Sequence, residues 1–113
     1  MVSMDELKLD LERRLREQCF ALGNTERLSI LSEIQKKPRT VTDILKDVKI
    51  TQSTLSHHLR ILRKAGFVTG IRSGRHVFYS IRIQTLDELS ENLKEYNDKF
   101  PVSAMILVDD DPE

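Results

Sequence analysis

Residues 51–66 read Thr51-Gln-Ser-Thr-Leu-Ser-His-His-Leu-Arg-Ile-Leu-Arg-Lys-Ala-Gly66, and this stretch decides the fold that we predict. Its leucines recur at spacings of four and three, the period of one helix face, at Leu55, Leu59 and Leu62. Thr51 is a preferred N-cap residue, and Gly66 suits the left-handed position after a helix. The stretch therefore predicts a helix over about Gln52–Lys64 with one apolar and one polar face.

The segment after this helix changes from helical to alternating periodicity. β-Branched and aromatic residues dominate both halves of Phe67–Ile83, and a tight turn at Ser73-Gly74 separates the halves. We therefore predict a two-stranded hairpin over this range. Phe78 and Tyr79 are neighbours on the second strand, so one should face the core and the other the surface.

Three helices are predicted before this stretch, and the first of them is long. It spans about Met4–Leu22 and ends at Gly23. Its apolar stripe consists of Met4, Leu7, Leu11, Leu15, Cys19 and Leu22. Asn24 is a good N-cap for a second helix over about Thr25–Gln35, and Pro38 prevents the continuation of that helix.

A short third helix and a final fifth helix complete the predicted elements. Thr40 and Asp43 have the spacing of a capping box, which begins the third helix. The last helix is predicted over about Gln84–Lys99 and ends before Pro101. Its apolar face consists of Leu86, Leu89, Leu93 and Tyr96. We predict one domain over residues 1–113, mainly α with a small β-hairpin (α+β), in which two strands lie between the fourth and fifth helices. Residues 101–113 form a tail with an apolar patch of unclear form at Val102–Val108. Two interpretations of Ala104–Val108 remain open, padding of the dimer interface and a disordered remnant.

The charges are segregated along the chain although their sum is zero. Residues 48–86 contain no Asp or Glu, while residues 87–113 contain nine acidic and two basic residues. The acid-free segment holds all three histidines and seven cationic residues, Lys49, Arg60, Arg63, Lys64, Arg72, Arg75 and Arg82. A polyanion responds to the local field rather than to the net charge, so this segment indicates a nucleic-acid-binding face.

Two short helices with a tight connection form a helix-turn-helix, whose second helix can enter the major groove of DNA. Groups that can read base edges occupy the first turns of that helix, at Gln52, Ser53, Ser56 and His57. Cationic residues suited to phosphates follow, at Arg60, Arg63 and Lys64. The hairpin would act as a wing that contacts DNA through Arg72, Arg75 and His76. We predict these ten residues to bind DNA.

Three segments also match a family pattern. Residues 21–31 read ALGNTERLSIL and resemble ALADPTRLRIL, while residues 51–66 are similar to SQSTVSHHLKVLREAG. Residues 73–79, SGRHVFY, resemble EGRWVYY. These patterns belong to the ArsR/SmtB family of winged helix-turn-helix repressors, and the resemblance covers about residues 21–83.

The resemblance implies a homodimer that represses transcription by occluding an inverted-repeat operator in double-stranded DNA. Its first and fifth helices (residues 1–22 and 84–100) would pack around a two-fold axis. The implied interface residues are Leu7, Leu11, Leu15, Cys19, Leu89, Leu93 and Tyr96. We expect a cytoplasmic prokaryotic protein without a membrane partner, since no segment has the pattern of a signal peptide or a membrane-spanning helix. The resemblance does not identify a small-molecule effector.

The metal-sensing motifs of many relatives are missing from this sequence. The family's ELCVCDL motif aligns with Arg39-Thr-Val-Thr-Asp-Ile-Leu45, which lacks cysteine. Other relatives place a His on the fifth helix, where this chain has only carboxylates, Asp87, Glu88, Glu91, Glu95 and Asp98. Zinc prefers His and Cys ligands. We therefore expect no metal, no other cofactor and no metal response.

Individual histidine and cysteine residues allow more than one interpretation. His57 and His58 are adjacent on a helix and point about 100° apart, so they cannot chelate one metal together. We expect His57 to contact DNA and His58 to pack as part of the scaffold. Cys19 lies on the apolar stripe and is predicted to be a buried thiol, with a redox switch across the dimer axis as the alternative.

Two other classes of function remain open at this point. A winged helix can serve as a protein-interaction or dimerisation module without DNA binding, because a fold does not determine function. Such a module has no need to exclude acids from both the recognition helix and the wing. An enzyme is a more remote alternative, and we expect none, because Ser53, Ser56 and His57 occupy exposed helix positions without a buried orienting acid.

Overall fold

The computed structural model describes residues 1–100, so Ala104–Val108 and the acidic residues after it lie outside the described part. The elements are α1 (Met4–Leu22), α2 (Thr25–Lys36), α3 (Val41–Asp47), α4 (Gln52–Lys64), β1 (Val68–Ser73), β2 (His76–Ile81) and α5 (Ile83–Lys99). The predicted order is confirmed. α1 and α4 have the predicted bounds. α2 ends one residue later than predicted, and α5 begins one residue earlier.

The first four helices begin where the sequence offers side-chain caps, whereas α5 begins after Arg82 without one. Asn24 Oδ1 accepts a hydrogen bond from the backbone N–H of Arg27, 3.0 Å away, at the start of α2. Thr40 Oγ1 accepts from the N–H of Asp43 over 3.2 Å, and the Thr40 N–H donates to Asp43 Oδ2 over 3.4 Å. The predicted capping box of α3 is therefore confirmed.

One buried cluster joins α2, α3, α4 and the start of the hairpin. Its members are Ala21, Ile30, Leu31, Ile34, Ile44, Val48, Leu55, Leu59, Leu62, Phe67 and Val68. The three leucines of α4 all belong to it, so the apolar face predicted for that helix is confirmed. Phe67 is fully buried directly after α4, which attaches the wing to the core. None of the helices in residues 1–100 is long and apolar enough to cross a bilayer.

The wing is an antiparallel hairpin with a turn one residue later than predicted. Ser73 pairs with His76, so the two turn residues are Gly74 and Arg75 rather than Ser73 and Gly74. Gly74 has φ = 64°, the left-handed conformation that suits the first central position of a two-residue hairpin turn. Because glycine adopts this φ without strain, it determines the position of the turn.

Strand β2 contains Phe78 and Tyr79, of which one was predicted to face the core and the other the surface. Tyr79 packs against the core cluster, while Phe78 is half-buried and meets the His76 ring edge-on at 6.4 Å. Tyr79 thus takes the predicted core position, whereas Phe78 is more buried than expected. Gly70 pairs with Tyr79, and a Cβ at residue 70 would lie 3.1 Å from the Tyr79 ring. The missing side chain therefore gives the ring its space.

Candidate nucleic-acid interface

Helix α4 presents its polar face outward from the first turn. Thr51 Oγ1 accepts from the N–H of Thr54 over 3.1 Å and donates to Thr54 Oγ1 over 2.9 Å, which caps the helix. The side chains predicted to contact DNA from this helix are all exposed, namely Gln52, Ser53, Ser56, His57, Arg60, Arg63 and Lys64. The leucine face holds the helix on the core, so the polar face is free to meet a ligand.

The second half of α4 concentrates positive charge. Arg60, Arg63 and Lys64 line one shallow concave surface at its C-terminal end. Lys64 also lines a pocket of about 190 Å³ together with Glu17 of α1. Arg60, Arg63 and Lys64 together form a cationic surface that an anionic ligand can meet.

The wing tip holds the remaining predicted DNA contacts. Arg72, Arg75 and His76 are exposed around the turn at Gly74. Within residues 1–100, none of the arginine and lysine side chains of α4 and the wing forms an ion pair with a carboxylate. Elsewhere the pattern differs, since Arg13, Arg14 and Lys99, for example, pair with acids on their own helices. The α4 and wing cations thus keep their charge available to a polyanion.

A contact that sequence reasoning missed ties the wing to the body. The Arg39 N–H donates to the Tyr79 carbonyl over 3.0 Å, and the Tyr79 N–H donates to the Arg39 carbonyl over 2.7 Å. The Arg39 guanidinium also lies 3.5 Å from a Glu33 oxygen and 3.3 Å from an Asp47 oxygen. Arg39 therefore joins α2, α3 and β2. The sequence signal for this contact was Pro38, which ends α2 and favours an extended backbone next to Arg39.

The two histidines of α4 differ in burial. His57 is exposed, whereas His58 is buried and forms hydrogen bonds with Arg27 and Glu26 of α2. The scaffold role expected for His58 is confirmed. Arg27 is itself only 5% exposed, and no feature of the sequence distinguished it from a surface arginine.

Helices α1 and α5, predicted to form a dimer interface, pack against each other within the single chain. Gln18 of α1 and Asn92 of α5 form a buried hydrogen bond, and Tyr96 donates from Oη to Glu12. This hydrogen bond to the Glu12 carboxylate raises the pKa of Tyr96. The intrachain contacts use part of the surface that the sequence assigned to a second copy.

The predicted dimer-interface residues fall into three groups in the single chain. Leu7, Leu15, Leu89 and Tyr96 are half-buried, and Leu93 is exposed. Leu11 is fully buried, so it packs within the protomer and cannot reach a second copy, contrary to the prediction.

Cys19 is also a correction, because the prediction of a buried thiol is wrong for the single chain. It is exposed on α1, whose buried residues are Leu11, Gln18 and Ala21. Successive helical residues are rotated by about 100° about the helix axis. Because Gln18 faces the rest of the domain, the adjacent Cys19 lies outside the buried face of α1. In residues 1–100, no group of three or more His, Cys, Asp or Glu side chains is arranged to hold a metal ion.

Comparison with known proteins agrees with this arrangement. The model of the family described as bacterial regulatory protein, arsR family, matches residues 24–69. The arsenical resistance operon repressor of Bacillus subtilis (strain 168) is 35% identical over 92 residues, which cover 80% of this chain and 88% of that protein. The chain belongs to the ArsR family. It is a transcriptional regulator of that family, with the winged helix-turn-helix fold that the sequence predicted.

Two further proteins are similar to this ArsR-family chain. The HTH-type transcriptional regulator NmtR of Mycobacterium tuberculosis is 42% identical over 72 residues, and the match spans 60% of each protein. The solution structure of Mb0332 from Mycobacterium bovis, titled a homodimeric winged helix-turn-helix DNA-binding domain, superposes with a TM-score of 0.68. That match covers 96% of this chain and 100% of the other, at 22% identity, so it supports the fold alone.

Proposed function

We propose that this protein is a repressor that binds double-stranded DNA as a homodimer, with α4 in the major groove and the wing on the backbone. The observation that carries this proposal is the exposed face of α4 and the wing, where the cations lack carboxylate partners within residues 1–100. The name of one relative also supports it, since the Bacillus subtilis protein is called a repressor.

Roles within the interface follow from reach and chemistry. Gln52, Ser53, Ser56 and His57 lie at the start of α4, where a recognition helix contacts bases. Glutamine can pair with adenine through two hydrogen bonds, and serine can meet donor or acceptor edges. Arg60, Arg63, Arg72 and Arg75 are suited to phosphates. We propose an inverted-repeat operator, as two-fold symmetry requires, and half-sites that lie about one helical turn apart.

The test is selection of binding sites from random duplexes, followed by titration of the selected site at several salt concentrations. If the dimer neutralises about six phosphates, the slope of log K against log salt should be near −5. The charge-reversed variant R60E should weaken binding to all duplexes, whereas K94E on α5, outside the proposed DNA interface, is the matched control once sedimentation equilibrium shows that it dimerises as wild type does. Failure to bind any duplex in a salt-dependent way would overturn the proposal and favour a protein-interaction module.

We also propose that operator binding does not respond to metals. The carboxylates of α5 lack a histidine partner on that helix, and Cys19 is the only cysteine in the sequence. Operator affinity should be equal in EDTA and in micromolar zinc. A change of tenfold or more in the operator Kd between the two conditions would contradict this.

A further inference from the structure

We propose that Arg27 and His58 are positioning residues for DNA recognition, which fix the rotation of α4 about its own axis. The proposal rests on the proposed function, because it concerns how the recognition helix is held rather than what it touches. Neither side chain belongs to the exposed face of α4. Their contacts connect three helices at one buried point.

Arg27 joins the end of α1 to the recognition helix. Its Nε donates to the Ala21 carbonyl over 2.7 Å, and its Nη2 donates to the Phe20 carbonyl over 3.0 Å. Both carbonyls lie in the last turn of α1, the end of the helix that carries partial negative charge, and the Phe20 carbonyl also accepts from the Gly23 N–H over 3.2 Å. That turn contains no basic residue of its own, so Arg27 supplies the missing cation. The third contact of the guanidinium, from Nη1, is to His58 Nδ1 at 3.1 Å.

The two contacts of His58 determine which ring nitrogen carries the proton. A guanidinium has only donors, so Nδ1 must accept the hydrogen bond from Arg27 and must lack a proton. The proton is then on Nε2, which lies 2.7 Å from Glu26 Oε1 and donates to it. Both ring nitrogens of His58 are therefore hydrogen-bonded to residues of α2, and each hydrogen bond requires a specific orientation of the ring.

These directional hydrogen bonds fix the rotation of α4, which the leucine face of the helix cannot do alone. Apolar packing has no preferred direction, so leucines alone would tolerate small rotations of the helix. A rotation of about 20° would move groups on the helix surface, about 5–6 Å from the axis, by about 2 Å. That displacement is enough to break hydrogen bonds to base edges. His57, the residue before His58, is one of the exposed side chains that such a rotation would displace.

The experiment compares the preference for the selected operator over a scrambled duplex in four full-length proteins. H58L removes both directional contacts, and H58Q can retain an acceptor and a donor. L59M disturbs the same buried face without any polar contact, and it serves as the matched control with wild type. We expect H58L to lose about tenfold of the operator preference. Its affinity for scrambled DNA and its salt slope should stay within about twofold of wild type, and H58Q and L59M should keep most of the preference.

Equal preference in H58L and wild type would overturn the proposal, as would an equal loss in H58L and L59M. If H58L does not fold, R27K provides the comparison, because lysine keeps the charge but lacks the planar fork. It should lose operator preference in the same way. Nitrogen NMR of wild-type His58 is an independent readout, and a proton found on Nδ1 would contradict the proposed contacts. If wild type binds no duplex, the proposed function fails before any variant is measured, and the positioning role fails with it.

Discussion

Asn92 of α5 donates a hydrogen bond from Nδ2 to Oε1 of Gln18 of α1 over 3.2 Å, and both side chains are only 9% exposed. The pair lies where the first and last helices of the chain meet. A polar pair between helices requires one relative position, whereas apolar contacts allow sliding. The two amides therefore set the register of α1 on α5.

Replacing one member of this pair should destabilise the fold. Q18L and N92L each leave a buried amide without its partner, so each should lower the free energy of unfolding by about 1–3 kcal/mol. The double variant should lose less than the sum of the two, because it leaves neither amide unpaired. Urea denaturation at one fixed protein concentration measures all four proteins. Additive losses would show that the two side chains are not coupled.

The division of labour within the DNA interface can be tested with two variants. Q52A should weaken binding to the selected operator by about 1–3 kcal/mol and relax the preference at one base position. R75A, at the wing tip, should weaken binding to every duplex and reduce the salt slope by about two, because each dimer loses two phosphate contacts. Anisotropy titrations against single-base operator variants distinguish these effects. The same pattern for both variants would contradict the separation of base and phosphate contacts.

The proposed dimer should depend on the exposed apolar surface of α5. Leu93 is 49% exposed, so L93K should place a charge in the interface and raise the dimer dissociation constant by tenfold or more. I71K is the matched control, because Ile71 is an exposed apolar residue on the wing. Sedimentation equilibrium measures both. A dimer as tight in L93K as in I71K would exclude Leu93 from the interface.

The wing turn should be sensitive to backbone conformation alone. A Cβ at residue 74 would meet no atom within 4 Å, but Gly74 has φ = 64°. G74A should therefore destabilise the protein by about 1–2 kcal/mol through strain. G74N should cost less, because asparagine tolerates the left-handed conformation. Thermal unfolding of the two variants tests this order, and equal losses would contradict it.

The capping box of α3 should make stability depend on pH in acid. The Thr40 N–H, which donates to the Asp43 carboxylate, and the Thr40 hydroxyl hold the pKa of Asp43 below its ordinary value of 3.8. A lowered folded pKa stabilises the protein above pH 3.8, and this contribution is lost as the pH falls through the lower folded value. Carbonyl-carbon NMR titration measures the pKa directly.

The variant D43N provides the control for this pH dependence. Asparagine can accept the same backbone hydrogen bond but does not titrate in this range. The difference in stability between wild type and D43N should therefore shrink as the pH falls below 3.8. A difference that stays constant in acid would show that the Asp43 carboxylate has the same pKa in the folded and unfolded chains.

Local patterns in the sequence predicted most of the fold. The cap at Thr51, the leucine repeat and Gly66 with φ = 87° give α4 the bounds that were expected. The turn was misplaced by one residue, because Ser73 and Arg75 are equally plausible neighbours of a turn glycine. The error at Cys19 has a different cause, since periodicity identifies a stripe but does not show which edge of it meets the body.

The sequence by itself determined the helices, the hairpin and the polar face of α4, because caps, periodicity and turn residues act within a few positions of the chain. Only the tertiary structure decided the partners of Arg27, His58 and Arg39. The partners of His58 lie 31 and 32 residues away, and Arg39 meets the distant Tyr79. Such contacts depend on how the helices pack, and a buried arginine has the same local sequence signal as an exposed one.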